Sequence, residues 1–216
     1  MYLAIEGVIG VGKTTLARKL SPRLNAALML EVFEENPFLG DFYSNRQRYA
    51  FQTQIFFLLS RYQQQKSSAM HNDLVADYTF SKDRLFATIN LRGDELDTYM
   101  MVYTALAEKI QQPDLLVYLR ADTDTLMRRI TMRDRVYERG MDAEYIDALR
   151  RAYDAALLDA TSQPDAEHAR VLVLDANQLD FVARDDDFEW IVAQVRAALD
   201  GVYQPRLPLN GAGGHD

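Results

Sequence analysis

The chain has 216 residues with a formal net charge of -8 at pH 7, and 48% of its residues are hydrophobic. That size suits one α/β domain with a sizeable core, and the acidic balance argues against a nucleic-acid surface, which needs a basic stripe. Cysteine is absent and the three histidines (His71, His168, His215) are scattered, which excludes disulfides, thiolate chemistry and a cysteine nucleophile and disfavours a zinc site.

Tyr2–Glu6 is a short apolar run that reads as a buried strand. Gly7-Val8-Ile9-Gly10-Val11-Gly12-Lys13-Thr14 follows and fits G-x-x-x-x-G-K-[ST], and the helical run Thr15–Leu20 comes directly after it. A strand, a glycine loop and a helix start form an anion cradle. Backbone N–H groups turn inward around a phosphate, and the helix N-terminus adds its free donors. In that arrangement Lys13 bridges the β- and γ-phosphates and the Thr14 hydroxyl faces Mg²⁺.

Ala27–Glu31 reads as the second strand, closed by Glu31. A carboxylate at that end of a parallel strand can take a proton from an attacking hydroxyl. The neighbouring Glu34 and Glu35 read as solvated turn acids before Pro37. Asn45–Ser68 has a helical pattern with a wide apolar stripe of Phe51, Ile55, Phe56, Leu58, Leu59 and Tyr62. Most of it reads as packing on the sheet, and part of it suits a second subunit. Leu74–Asp77 is the third strand, and Asp77 at its end can hold Mg²⁺ through water or serve as a turn residue.

Leu115–Leu119 and Arg170–Leu174 complete a set of about five strands. Alternation of strands with helices predicts an α/β fold with a parallel sheet and helices on both faces. Between the last two strands, Arg129, Arg133 and Arg135 follow a helix and run into an irregular stretch ending at Gly140. Such guanidinium groups can close over a transferring phosphoryl group, or can make a charged helix face. No run approaches the roughly 20 apolar residues of a membrane span, and Tyr2 already begins a strand, so the expectation is a cytoplasmic protein without a signal segment. Residues 203–216 are expected to be a flexible tail.

Together these motifs resemble the deoxynucleoside kinase family, most closely its bacterial deoxyguanosine kinases, over nearly the whole chain. The resemblance implies a P-loop kinase fold with an Arg-rich lid, using ATP and Mg²⁺ to phosphorylate the 5′-hydroxyl of a deoxynucleoside. A purine is implied, deoxyguanosine first, with deoxyadenosine or broad specificity as the alternative. It implies Glu31 as general base, Tyr43 and Glu138 at the sugar 3′-hydroxyl, and Gln54, Arg61 and Asp83 at the base. It places the lid arginines on phosphates and Asp180-Phe181 beside the adenine of the nucleotide. Thr15 belongs to the phosphate loop, and Phe57 and Phe80 offer stacking surface, with core packing as the other reading of each. A homodimer through the long helices is implied as well.

One departure stands out. The family's acidic motif reads Asp/Glu-Arg-Ser, and here it reads Asp77-Tyr78-Thr79. The expected substitute for the missing charge is Arg135 or Arg139. A thymidylate-type monophosphate kinase is disfavoured by the same Tyr78, since its acceptor phosphate calls for an arginine there. A non-catalytic nucleotide-binding subunit is the other competing reading.

Overall fold

The computed structural model describes residues 1–68, 72–161 and 170–201, the side chains of residues 159–161 excepted. The expected tail lies outside the described residues. Five parallel strands form one sheet in the order β2-β3-β1-β4-β5. They are β1 (Tyr2–Glu6), β2 (Ala27–Met29), β3 (Leu74–Ala76), β4 (Leu115–Arg120) and β5 (Arg170–Asp175). All residues of β1 and β3 are buried, as expected where helices cover both faces of a parallel sheet.

The helices are α1 (Lys13–Arg23), α2 (Leu39–Ser44), α3 (Arg46–Ser68), α4 (Ser81–Asn90), α5 (Gly93–Ala107), α6 (Thr123–Arg133), α7 (Ala143–Thr161) and α8 (Asp185–Leu199). Successive β1 residues reach opposite layers. Tyr2 accepts a hydrogen bond from Gln65 of α3, and Glu6 accepts one from Tyr153 of α7. On the other face α1 is tied to α8 by the Arg23–Glu189 pair.

Two strands stop earlier than their apolar runs. β2 ends at Met29 rather than Glu31, and β3 at Ala76 rather than Asp77. The reason is local: the Asp77 carboxylate takes the Glu31 N–H at 2.8 Å, so a side chain replaces the next rung of the ladder. α6 runs through Arg129 and Arg133, so only Arg135 belongs to the irregular stretch, followed by a 3₁₀ turn over Val136–Glu138.

The buried stripe of α3 is not its most apolar one. Ala50, Thr53, Gln54, Phe57, Leu58, Arg61 and Gln65 face inward at helical spacing, while Leu59 is half exposed. Four of those seven are polar, so this helix turns hydrogen-bonding groups toward the sheet ends.

Candidate active site

The phosphate loop leaves the central strand β1 and enters α1 through Gly12. No side chain caps α1, so its first N–H groups stay available to an anion. Space as well as backbone confines all three loop glycines, Gly10 by the Ile130 side chain, 2.8 Å from where a Cβ would stand. Gly7 has φ +145°, and a Cβ there would stand 2.5 Å from the Leu119 carbonyl oxygen. Gly12 has φ +110°, and a Cβ there would press on the Phe181 ring at 3.0 Å. Val8 and Val11 are buried anchors that hold the loop against the core.

Lys13 folds back over the loop, donating to the carbonyls of Gly7 at 2.7 Å and Val8 at 3.1 Å. Burial and the nearby Lys82 charge push its ammonium down to about 8. Thr14 Oγ1 donates to Asp77 Oδ2 at 2.5 Å. Asp77 therefore joins three pieces of chain: the phosphate loop, the end of β2 and its own strand.

Glu31 lies beside this junction and is clamped by two cations. Arg61 donates to its Oε1, and Lys82 Nζ stands 2.6 Å from its Oε2. Burial opposes ionisation of Glu31, but the Arg61 and Lys82 charges outweigh it and hold the carboxyl well below the usual carboxylate range. Arg61 also pairs with the fully buried Asp83, and its guanidinium lies 4.4 Å over the Phe57 ring. In and beside this network, Gln54 Oε1, Arg61 Nε, Asp83 Oδ2 and the Tyr99 hydroxyl are buried polar atoms without a hydrogen-bond partner. Native interiors rarely leave such groups unpaired, and two of the four, on Gln54 and Arg61, belong to residues where a polar ligand can complete them.

Lys13, Thr14, Glu31, Gln54, Phe57, Arg61, Asp77 and Lys82 line one cleft of about 100 Å³, while Asp83 stays outside its lining. Ile9, Gly10, Lys13 and Thr14 form one end, Gln54, Phe57 and Arg61 the other, and Glu31, Asp77 and Lys82 the middle. The wall opposite is the lid. Arg133 makes a forked pair with the buried Glu138, and Arg135 packs over the Phe33 ring at 4.2 Å. Tyr137 stacks on Tyr43 at 6.0 Å between centroids. Burial, with Tyr145 and Glu138 nearby, raises the Tyr43 hydroxyl well above its ordinary value.

Most expected site residues are thus brought together, and a few are not. Phe80 is a core residue, stacked on Tyr103 at 5.3 Å and tilted against Tyr62, so it offers no face to the cleft. The ring that lines the cleft from α4 is Phe86. Arg129 is pinned by its own backbone contacts, to Val11 O at 3.2 Å and Ala176 O at 2.8 Å, and staples the phosphate loop to the segment after β5. Phe181 backs Gly12 from that segment, while Asp180 caps its own turn by accepting from Val182 and Ala183 N–H groups. Thr15 is exposed at the start of α1.

Neither Arg135 nor Arg139 replaces the missing arginine at Glu31. Arg139 is exposed and paired with Asp134, and Arg135 is held over Phe33. The second cation at Glu31, beside Arg61, is Lys82. Tyr78 is fully buried, its hydroxyl donating to Gln64 at 2.6 Å, within a cluster of Tyr2, Ala4, Met29, Leu74 and Ala76. The signal for Lys82 and Phe86 was their i,i+4 spacing at the start of α4, which puts both on one helix face.

A nucleotide-type loop on a five-stranded parallel sheet, facing a carboxylate and a ring-lined pocket, defines a phosphoryl-transfer enzyme of the P-loop kinase class. The family model "Deoxynucleoside kinase" matches residues 3–200, and the chain belongs to that family. It is 35% identical over 203 residues to the deoxyguanosine kinase of Bacillus subtilis (strain 168), spanning 92% of this chain and 97% of that protein. It is 28% identical to the deoxyadenosine/deoxycytidine kinase of the same organism, over 91% of this chain and 92% of that one. Among solved structures it resembles deoxyadenosine kinase from M. mycoides with bound dATP, at TM-score 0.79 and 26% identity, covering 91% of this chain and all of that chain. No helix among the described residues is long and apolar enough to cross a membrane.

Proposed function

We propose that this enzyme transfers the γ-phosphoryl group of ATP to the 5′-hydroxyl of a purine deoxynucleoside, deoxyguanosine first. One observation carries the reading: Glu31 lines the cleft between the phosphate loop and the unpaired groups of Gln54 and Arg61, with Asp83 holding Arg61 in place. An acceptor on Gln54 and a donor on Arg61 suit the guanine edge, whose N1–H and N2–H groups donate and whose O6 accepts. An adenine edge also offers a donor and an acceptor to that pair, which keeps deoxyadenosine as the alternative.

The 5′-hydroxyl then falls at Glu31, which accepts its proton as the oxygen attacks phosphorus in line. Lys13 and the α1 N-terminus hold the phosphates, and Arg133 and Arg135 supply positive charge from the lid. Tyr43 and Glu138 hold the 3′-hydroxyl, and the Tyr43–Tyr137 stack crowds the sugar's 2′ side. The arrangement fits a magnesium ion: Thr14 Oγ1 and the Asp77 carboxylate share one hard-oxygen corner. Bound there, Mg²⁺ would neutralise charge on the phosphates.

The proposal extends to one catalytic domain acting as a cytoplasmic homodimer. Its support is the exposed Leu59 on α3 and Met101 on α5, apolar groups on long helices that suit a helix-to-helix contact. Initial rates with each deoxynucleoside and MgATP test the substrate assignment, with guanosine as the ribose control. The expected order is deoxyguanosine, deoxyadenosine, then pyrimidines. Equal rates for guanosine and deoxyguanosine would remove the Tyr43 role, and loss of all transfer would remove the function.

A further inference from the structure

Glu31 has two oxygens, and both are occupied: Oε1 by Arg61 and Oε2 by Lys82. Each oxygen keeps a second lone pair for a hydroxyl, but a carboxylate held by two cations is a weak base, and release of one cation strengthens it. Arg61 is poorly placed to leave. It is also held by Asp83, lies against Phe57 and is only 5% exposed. Lys82 is similarly buried and its ammonium lies 5.4 Å from the Phe86 ring centre, but it differs in its hydrogen bonding. Its ammonium has no second hydrogen-bond partner among the described residues. It sits on a flexible four-carbon stem, on the first turn of α4, and lines the cleft beside the phosphate loop.

We propose that Lys82 is a catalytic residue that changes partner during the reaction, leaving Glu31 Oε2 for the phosphoryl oxygens of the bound nucleotide. The inference rests on the kinase reading above. The exchange clears Oε2 for the 5′-hydroxyl and brings a positive charge to the group being transferred, in one movement. The bond changes balance as in any transfer to an alcohol. The 5′-oxygen forms its bond to the γ-phosphorus as the bond from that phosphorus to the β,γ-bridging oxygen breaks. ADP departs with that electron pair, and the hydroxyl proton goes to Glu31.

One further observation favours the exchange. The position where the family carries arginine is filled by Tyr78, which is buried away from the cleft, so the second cation at Glu31 comes from one turn of helix further along the chain.

The test is steady-state kinetics of Lys82→Met and Lys82→Arg, with deoxynucleoside binding and melting temperature measured alongside. Lys82→Met is expected to lower kcat by about 10²-fold or more, as for loss of one pre-organised donor to a developing charge. The KM for the deoxynucleoside should move less than about threefold, since the base pocket is untouched. Lys82→Arg keeps the charge and should retain at least a tenth of the turnover. Lys82→Gln, which preserves a hydrogen bond to Glu31, stands in should the methionine variant fail to fold, and the same kcat loss is expected of it. The proposal is overturned if kcat stays within about threefold of wild type in a folded variant, or if the whole loss appears in KM. It is overturned equally if the arginine variant is as impaired as methionine. A wild-type chain that phosphorylates no deoxynucleoside would instead bring down the kinase reading on which the inference stands.

Discussion

Replacing Arg61 by methionine removes the one group that ties Asp83 and the Phe57 side of the cleft to Glu31, the proposed general base. The guanidinium is buried, pairs with both Glu31 and Asp83, and covers the Phe57 ring. Methionine replaces the stem but leaves two carboxylates without that partner. Breaking a buried pair from one side costs about 3–5 kcal/mol. The lower end applies here for two reasons. Burial already pushes Asp83 up to about 6 with Arg61 beside it, so without Arg61 it takes up a proton instead of standing as a bare charge. Glu31 meanwhile keeps Lys82. At about 2–4 °C per kcal/mol for a chain of this size, a loss near 3 kcal/mol lowers Tm by about 6–12 °C. Thermal unfolding followed by circular dichroism at pH 7 reads this directly. Adding Asp83→Asn to Arg61→Met should cost less than Asp83→Asn alone, a coupling of about 1 kcal/mol or more. A Tm within about 2 °C of wild type, or strictly additive losses, would refute the view that these three charges form one buried network.

Gly7→Ala should destabilise the chain by at least about 2 kcal/mol and weaken nucleotide binding, because its Cβ would meet the Leu119 carbonyl and the Val11 side chain at a backbone angle few residues adopt. An unchanged urea midpoint would contradict that packing of the phosphate loop on β4. Tyr78→Arg restores the family's residue but not its role: the new cation enters an apolar cluster and displaces the Gln64 bond. It should lower stability by about 3 kcal/mol and leave the turnover of Lys82→Met unrescued; a stable, rescued double variant would show that position 78 still reaches the phosphates.

Strand positions and the phosphate loop were legible because each rests on a strong local signal. Buried parallel strands are continuous apolar runs, and Gly7, Gly10 and Gly12 with Lys13 and Thr14 fit only a few backbone shapes. Glu31 and Asp77 were legible from their places at strand ends, although the strands themselves stop short because Asp77 substitutes for a backbone acceptor. The inward face of α3 was less legible. Apolar counting selects Phe51, Ile55 and Leu59, whereas the buried face carries Gln54, Arg61 and Gln65; Asp83 and Glu31 place Arg61, and Tyr2 places Gln65, all from other elements. Phe80 and Phe86 could not be told apart by type, since only the start of α4 at Ser81 decides which ring faces the cleft. The charge at Glu31 was sought in the lid because a sequence motif ties it to position 78. In three dimensions the requirement is a cation near Oε2, and the helical turn from Phe80 to Lys82 supplies one.

The central claim is that Glu31 takes the hydroxyl proton, and Glu31→Gln tests it most directly. Amide for carboxylate keeps the size and abolishes the basicity. With saturating MgATP and deoxyguanosine, turnover should fall by about 10²–10⁴-fold, while the deoxynucleoside dissociation constant, measured by calorimetry, stays within about threefold of wild type. A folded Glu31→Gln variant that turns over at close to the wild-type rate would contradict the account.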